Sequence, residues 1–224
     1  MDDVRIIEVK QSVFADNEKD ARRLRQQLKK DKTFLLNVMS SPGAGKTTLL
    51  QKLAGKLSKK LKFAVMEADI DSDVDAKAMR QIGVDAIQIH TGGMCHLDAE
   101  MTRQGLTELD SSQYDLVILE NVGNLVCPAE FDTGAVKNMT ILSVPEGDDK
   151  PLKYPLMYEV CQLLVISKMD VIGSFDFDRE KVVRYAKMRN PDIEVMFTSA
   201  KTGEGIDELA EWIIKNANSW NTEC

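Results

Sequence analysis

The apolar run Phe34-Leu35-Leu36-Asn37-Val38-Met39 leads straight into Ser40-Ser41-Pro42-Gly43-Ala44-Gly45-Lys46-Thr47 and then into Thr48-Leu49-Leu50-Gln51-Lys52-Leu53. The first segment reads as a buried strand and the last as the start of a helix. Strand, small-residue loop, Lys-Thr and helix is the arrangement a phosphate-binding loop requires. The N–H groups of such a loop form an anion-binding concavity at the positive end of a helix. Pro42, Gly43, Ala44, Gly45, Lys46, Thr47 and Thr48 are therefore candidate nucleotide-binding residues. Lys46 is expected to reach the β- and γ-phosphates, and the Thr47 hydroxyl to sit on Mg²⁺. Ser40 stands where the usual pattern has its first glycine. The competing reading, a Gly-rich turn before a surface helix, leaves Lys-Thr unexplained at the one spot where phosphate chemistry wants it.

A chain of 224 residues suits one α/β unit with a sizeable core. Its formal net charge of −7 argues against a general nucleic-acid binder, which needs a basic surface. No stretch is long and apolar enough to span a membrane, and Met1-Asp2-Asp3-Val4 lacks the apolar region of a signal peptide. The expected setting is the cytoplasm, with Cys95, Cys127, Cys161 and Cys224 as thiols or metal ligands.

Short apolar runs at 34–39, 62–67, 85–89, 115–120, 139–144, 162–167 and 193–198 alternate with helical patterns at 46–60, 73–82, 97–109, 153–160, 178–189 and 205–217. This β-α alternation predicts a P-loop NTPase-like α/β fold: a doubly wound, mostly parallel sheet of about seven strands with helices on both faces. Ligands then bind beyond the carboxyl ends of the strands. Residues 4–12 are expected as an extended arm and Asp16 to Lys30 as a helix, so that 1–31 form an N-terminal segment packing on the core.

Beyond the sixth run stands Ser167-Lys168-Met169-Asp170. Guanine presents two donors, N1–H and the exocyclic amine, and the Asp170 carboxylate can accept both, while the stem of Lys168 lies over the base. Ser167 departs from the Asn that usually opens this motif. Beyond the seventh run comes Thr198-Ser199-Ala200-Lys201, where the Ala200 N–H is expected at guanine O6, flanked by Ser199 and Lys201. A site built for one polar edge rejects bases that leave its groups unpaired, so GTP and GDP are the expected nucleotides.

The strand ending in Glu120 is followed by Asn121-Val122-Gly123-Asn124. Glu120 is a candidate Mg²⁺ ligand opposite Thr47, and Gly123 lets backbone approach the γ-phosphate. In the acidic run Glu67-Ala68-Asp69-Ile70-Asp71-Ser72-Asp73-Val74-Asp75, Asp69 and Asp75 are candidates for Mg²⁺ or for orienting the attacking water. The alternative is a solvated acidic loop with Asp73 capping the next helix. Lys46, Asp69, Asp75 and Glu120 form the expected catalytic set. No Gln or Arg in an obvious position supplies fast hydrolysis, so turnover below about 1 per minute is expected.

Gly92-Gly93-Met94-Cys95-His96-Leu97-Asp98 and Cys127-Pro128 both lie at the carboxyl-end side of the sheet. Two thiolates and an imidazole make a soft donor set that suits Zn²⁺ or Ni²⁺. Cys95 and His96, being adjacent, do not comfortably chelate one ion as a full set, which a site shared by two subunits would relieve. A buried Cys127 and an unrelated Cys-His pair is the other reading, and the residues alone leave both open.

Taken together, the Ser40–Thr47 loop, Glu120–Asn124, Gly92–Asp98, Cys127-Pro128, Glu146-Gly147-Asp148-Asp149-Lys150-Pro151 and Ser167–Asp170 resemble the nickel-incorporation GTPases of hydrogenase maturation, the HypB family. The resemblance runs from about residue 34 to the C-terminus. It implies a GTPase (G) domain over 32–224 with an inserted metal site, Cys95, His96 and Cys127 as ligands of Zn²⁺ or Ni²⁺, and a homodimer when GTP is bound. It also implies two partners, a small zinc-containing accessory protein and the large subunit of [NiFe]-hydrogenase. Some members carry an N-terminal Cys- or His-rich nickel motif. Here no Cys precedes Cys95 and no His precedes His90, so the metal capacity is expected in the domain site. A urease-type nickel GTPase is disfavoured because Ala129 replaces the His of Cys-Pro-His. A regulatory GTPase without a transition metal and a small-molecule kinase are the remaining alternatives.

Overall fold

The computed structural model describes residues 5–8, 14–69 and 74–222; the side chains of 5–8, 14, 15, 74 and 75 lie outside the described set. Among the described residues, eight strands form one sheet: β1 (Arg5–Glu8), β2 (Phe34–Ser40), β3 (Phe63–Asp69), β4 (Asp85–His90), β5 (Leu116–Glu120), β6 (Lys137–Ser143), β7 (Leu163–Ser167) and β8 (Glu194–Phe197). Their order is β1-β4-β3-β5-β2-β6-β7-β8, and every pairing is parallel. The expected architecture is observed with two differences. The sheet is wholly rather than mostly parallel, and the expected N-terminal arm contributes the additional strand β1, which pairs with β4.

The helices are α1 (Phe14–Asp31), α2 (Lys46–Leu57), α3 (Val74–Gln81), α4 (Ala99–Leu109), α5 (Cys127–Glu130), α6 (Lys150–Lys153), α7 (Pro155–Glu159), α8 (Arg179–Arg189) and α9 (Ile206–Thr222). The helix expected over 153–160 is instead the pair α6 and α7. Tyr154 precedes Pro155, and a residue before proline is pushed out of the helical region; it sits at φ −128°, ψ 61°.

Central strands buried on both faces read as near-continuous apolar runs, and β2 distributes its apolar residues accordingly. Leu36 and Val38 join the core under α2, α3 and α9. Leu35 faces the core under α1 and α4, and Met39 the core under α7 and α8. Parallel strands carry all their carboxyl ends to one edge of the sheet, and the loops that leave that edge hold the candidate site.

Candidate functional site

The loop between β2 and α2 turns on Gly43 (φ 75°) and Gly45 (φ 94°), a left-handed conformation that glycine adopts without strain. Gly45 precedes α2 without a side-chain cap, which leaves the first helical N–H groups directed at the cavity. Lys46 Nζ donates to Ser40 Oγ at 3.0 Å, and Ser40 Oγ donates to the Ser41 carbonyl at 2.7 Å. Serine at the first position thus serves as a rest for the lysine.

A cavity of about 590 Å³ opens above this loop. It is lined by Pro42, Gly43, Gly45, Lys46, Thr47 and Thr48, by Asp69 at the end of β3, by Glu120 through Gly123 after β5, and by Lys168. Ala44 is buried behind the loop, where its carbonyl accepts from Ser167 Oγ at 2.7 Å. Serine in place of the usual Asn therefore still ties the base-side segment to the phosphate loop. Thr47 Oγ1 donates to Glu120 Oε1 at 3.2 Å. A hydroxyl beside a carboxylate is the hard oxygen set that suits Mg²⁺. A Cβ on Gly123 would come within 3.2 Å of Pro42, so the segment after β5 lies directly on the phosphate loop. Asp75 falls in α3, and its side chain is outside the described residues.

On the base side, Lys168 adopts φ 61° and its Nζ donates to the Gly43 carbonyl at 2.7 Å. Ser199 Oγ donates to Asp170 Oδ1 at 2.7 Å, and Lys201 Nζ stands 3.9 Å from Asp170 Oδ2. The Ser199 hydrogen bond, aided by the charges of Lys201 and Lys168, holds the Asp170 pKa below the usual carboxylate range despite partial desolvation. Met169 N–H donates to the Thr198 carbonyl at 3.1 Å, which joins the two base-side loops next to Ala200. The tight return after β8 depends on Gly205, where a Cβ would lie 2.0 Å from the Phe197 carbonyl oxygen.

The soft donors also come together. The Cys95 and Cys127 thiols lie close enough to interact, and that interaction, with partial burial, raises the Cys95 pKa. His96 Nδ1 lies 3.9 Å from Cys95 Sγ. The His96 ring stacks on Phe131 at 3.5 Å between centroids, and its Nε2 is buried with no hydrogen-bond partner. Burial lowers the His96 pKa against the opposing charges of Asp98 and Glu130, which favours the neutral, ligating form. These groups fit Zn²⁺ or Ni²⁺ in kind. Among the described residues, however, no group of three or more His, Cys, Asp or Glu side chains is arranged to hold an ion. Cys161 is fully buried, and burial pushes its thiol far up.

Sequence reasoning passed over two polar residues of the cavity floor, Glu67 on β3 and Gln88 on β4. Both are buried and paired in register, and Gln88 Nε2 donates to the Glu67 carbonyl at 3.0 Å. The available signal was a polar residue inside an otherwise apolar strand. Glu146, the first residue of the Glu146–Pro151 segment, also reaches the site. It accepts from the Ser143 N–H at 2.8 Å and from Ser41 Oγ, and so links the end of β6 to the phosphate loop.

Fold and site together define a P-loop nucleotide-binding protein. The CobW/HypB/UreG nucleotide-binding domain family matches residues 34–197. The chain is 44% identical over 209 residues to the hydrogenase maturation factor HypB of Azotobacter vinelandii, covering 93% of this chain and 69% of that protein. Two solved structures superpose with a TM-score of 0.85. One is HypB from Helicobacter pylori in complex with nickel, at 36% identity, covering 93% of this chain and 99% of that one. The other is HypB from Archaeoglobus fulgidus, at 35% identity, covering 92% and 100%. The chain belongs to the CobW/HypB/UreG family and, within it, to the HypB hydrogenase maturation factors. No helix among the described residues is long and apolar enough to cross a membrane.

Proposed function

We propose that this chain is a slow GTPase that carries nickel for hydrogenase maturation and couples its nucleotide state to the Cys95, His96 and Cys127 site. The observation that carries this reading is the continuity of one segment. Glu120 bonds Thr47 and Gly123 lies on Pro42; the same stretch of chain runs on to Cys127, whose thiol interacts with that of Cys95. A γ-phosphate that moves Glu120–Gly123 thereby moves a sulfur donor.

GTP is held by the loop N–H groups and Lys46, which counter the charge that develops on the phosphates during hydrolysis. Thr47 and Glu120, with Asp69 and Asp75 of the acidic run as further candidates, would hold Mg²⁺, which would supply further neutralisation of the phosphate charge. Asp170 and Ala200 select guanine. An incomplete donor set in one copy calls for a second, and a homodimer formed on GTP binding supplies it. The exposed Val126, Leu152 and Leu156 and the cations Lys150 and Lys153 are available to that contact; Lys153 pairs with Asp149 at 2.6 Å within the single chain. A small zinc-containing accessory protein and the [NiFe]-hydrogenase large subunit are the proposed partners, in the reducing cytoplasm that keeps the thiols free.

Cys127→Ala tests the site. It is expected to weaken Zn²⁺ and Ni²⁺ binding by more than about 100-fold, since losses around a metal's outer shell already cost about 10–100-fold. GTP affinity measured without metal should stay unchanged. Competition against a chromophoric chelator reads the metal, and metal affinity equal to the wild type removes Cys127 from the site.

A further inference from the structure

The helix α1 precedes the stretch that the family match covers, yet it grips both halves of the metal site. Asn17, 6% exposed, makes the central contact. Its Nδ2 donates to the Asp132 carbonyl at 3.0 Å, and its Oδ1 accepts from the Ala99 N–H at 2.9 Å. Ala99 opens α4, directly after Cys95-His96-Leu97-Asp98. Asp132 follows Phe131, the ring stacked on His96, just after the helix α5 that begins at Cys127. One amide head therefore spans the two chain segments that bring the sulfur and nitrogen donors together, and an amide is the side-chain group that offers a donor and an acceptor side by side.

Neighbouring contacts hold the same arrangement. Arg25 makes two hydrogen bonds to the Asp132 carboxylate, at 2.6 and 2.8 Å, and a third to the Ala135 carbonyl at 3.2 Å. The Gly134 N–H donates to Asp132 Oδ1 at 2.9 Å, and a Cβ on Gly134 would strike Leu24 of α1 at 2.7 Å. At the other segment, Asp98 Oδ1 accepts from the Met101 N–H at 2.8 Å, so both ends of the Asn17 bridge are themselves anchored.

We infer that Asn17 is a positioning residue for the metal site: by tying Ala99 to Asp132 it sets the spacing of Cys95 and His96 relative to Cys127 before an ion arrives, and α1 thereby sets metal affinity. This rests on the metal-site reading proposed above. Outer contacts that orient ligands are worth about 10–100-fold in metal affinity.

The test uses the full chain and Zn²⁺ or Ni²⁺ alone, by chelator competition, with GTP-analogue affinity and the Co²⁺ absorption spectrum measured on the same samples. Asn17→Ala is expected to weaken both metals by about 10–100-fold and to alter the Co²⁺ bands at saturation, with the nucleotide affinity of the metal-free protein unchanged. A residue that merely stabilised the fold would leave the Co²⁺ bands of the folded, saturated protein as in the wild type. Wild-type metal affinity and bands in folded Asn17→Ala overturn the inference. Should Asn17→Ala fail to fold, Asn17→Asp keeps an acceptor for Ala99 but cannot donate to Asp132; the same loss supports the inference and wild-type affinity overturns it. Cys95→Ala, run alongside, separates the two levels. If it loses metal while Asn17→Ala does not, the positioning role alone fails; if it too binds metal normally, the site reading fails with it.

Discussion

Asp170→Ala lowers GTP affinity by roughly 100- to 10,000-fold. Asp170 is the expected acceptor for both guanine donors, and a hydrogen bond to a charged group is worth about 1.5–3 kcal/mol, so two amount to about 3–6 kcal/mol. Ser199 fixes one carboxylate oxygen and Lys201 stands near the other, so the group is oriented and ionised before guanine arrives. Because its depressed pKa keeps Asp170 charged well below neutrality, GTP affinity should not change between pH 6 and 8 on this group's account. Weak ATP binding should be untouched by the substitution, since adenine has no matching pair of donors. Calorimetry with GTP and ATP reads both. A loss shared equally by the two nucleotides would remove Asp170 from base selection.

Lys46→Ala has the other large effect, a fall of about 100- to 1,000-fold in the turnover of bound GTP, the scale at which one aimed electrostatic group contributes to a transition state. Lys46 has its Nζ parked on Ser40 Oγ at the base of the cavity. A triphosphate that draws the ammonium off that hydroxyl exchanges a bond to a neutral acceptor for one to a charged acceptor. Single-turnover measurement on saturated protein separates this from weaker binding. Lys52→Ala, on the exposed face of the same helix, should leave turnover as it was.

Much of this arrangement is legible in the sequence because strand-end chemistry is local. The apolar runs ending at Ser40, Glu120 and Ser167 are buried on both faces, so their carboxyl ends had to meet at one edge. Cys95 and Cys127 follow β4 and β5, which flank β3. That separation, about 10 Å across two strand spacings, is short enough for the following loops to close. Other features had no local signature. Arg5-Ile6-Ile7-Glu8 is too short to show the alternation that marks a strand, and β1 exists because the edge of β4 has open backbone groups to pair. Asn17 lies between Asp16 and Glu18 in a polar helical pattern that reads as a solvated face; its role depends on what the tertiary fold lays over it. Glu67 and Gln88 were hidden by the strength of the apolar signal around them.

The coupling of nucleotide to metal is the central claim, and Ni²⁺ affinity measured by chelator competition on the same protein loaded with GDP or with a non-hydrolysable GTP analogue tests it most directly. The two dissociation constants are expected to differ by a factor of about 5–150, the usual range for linked sites. Equal constants in the two states, with both nucleotides verified as bound, would contradict it.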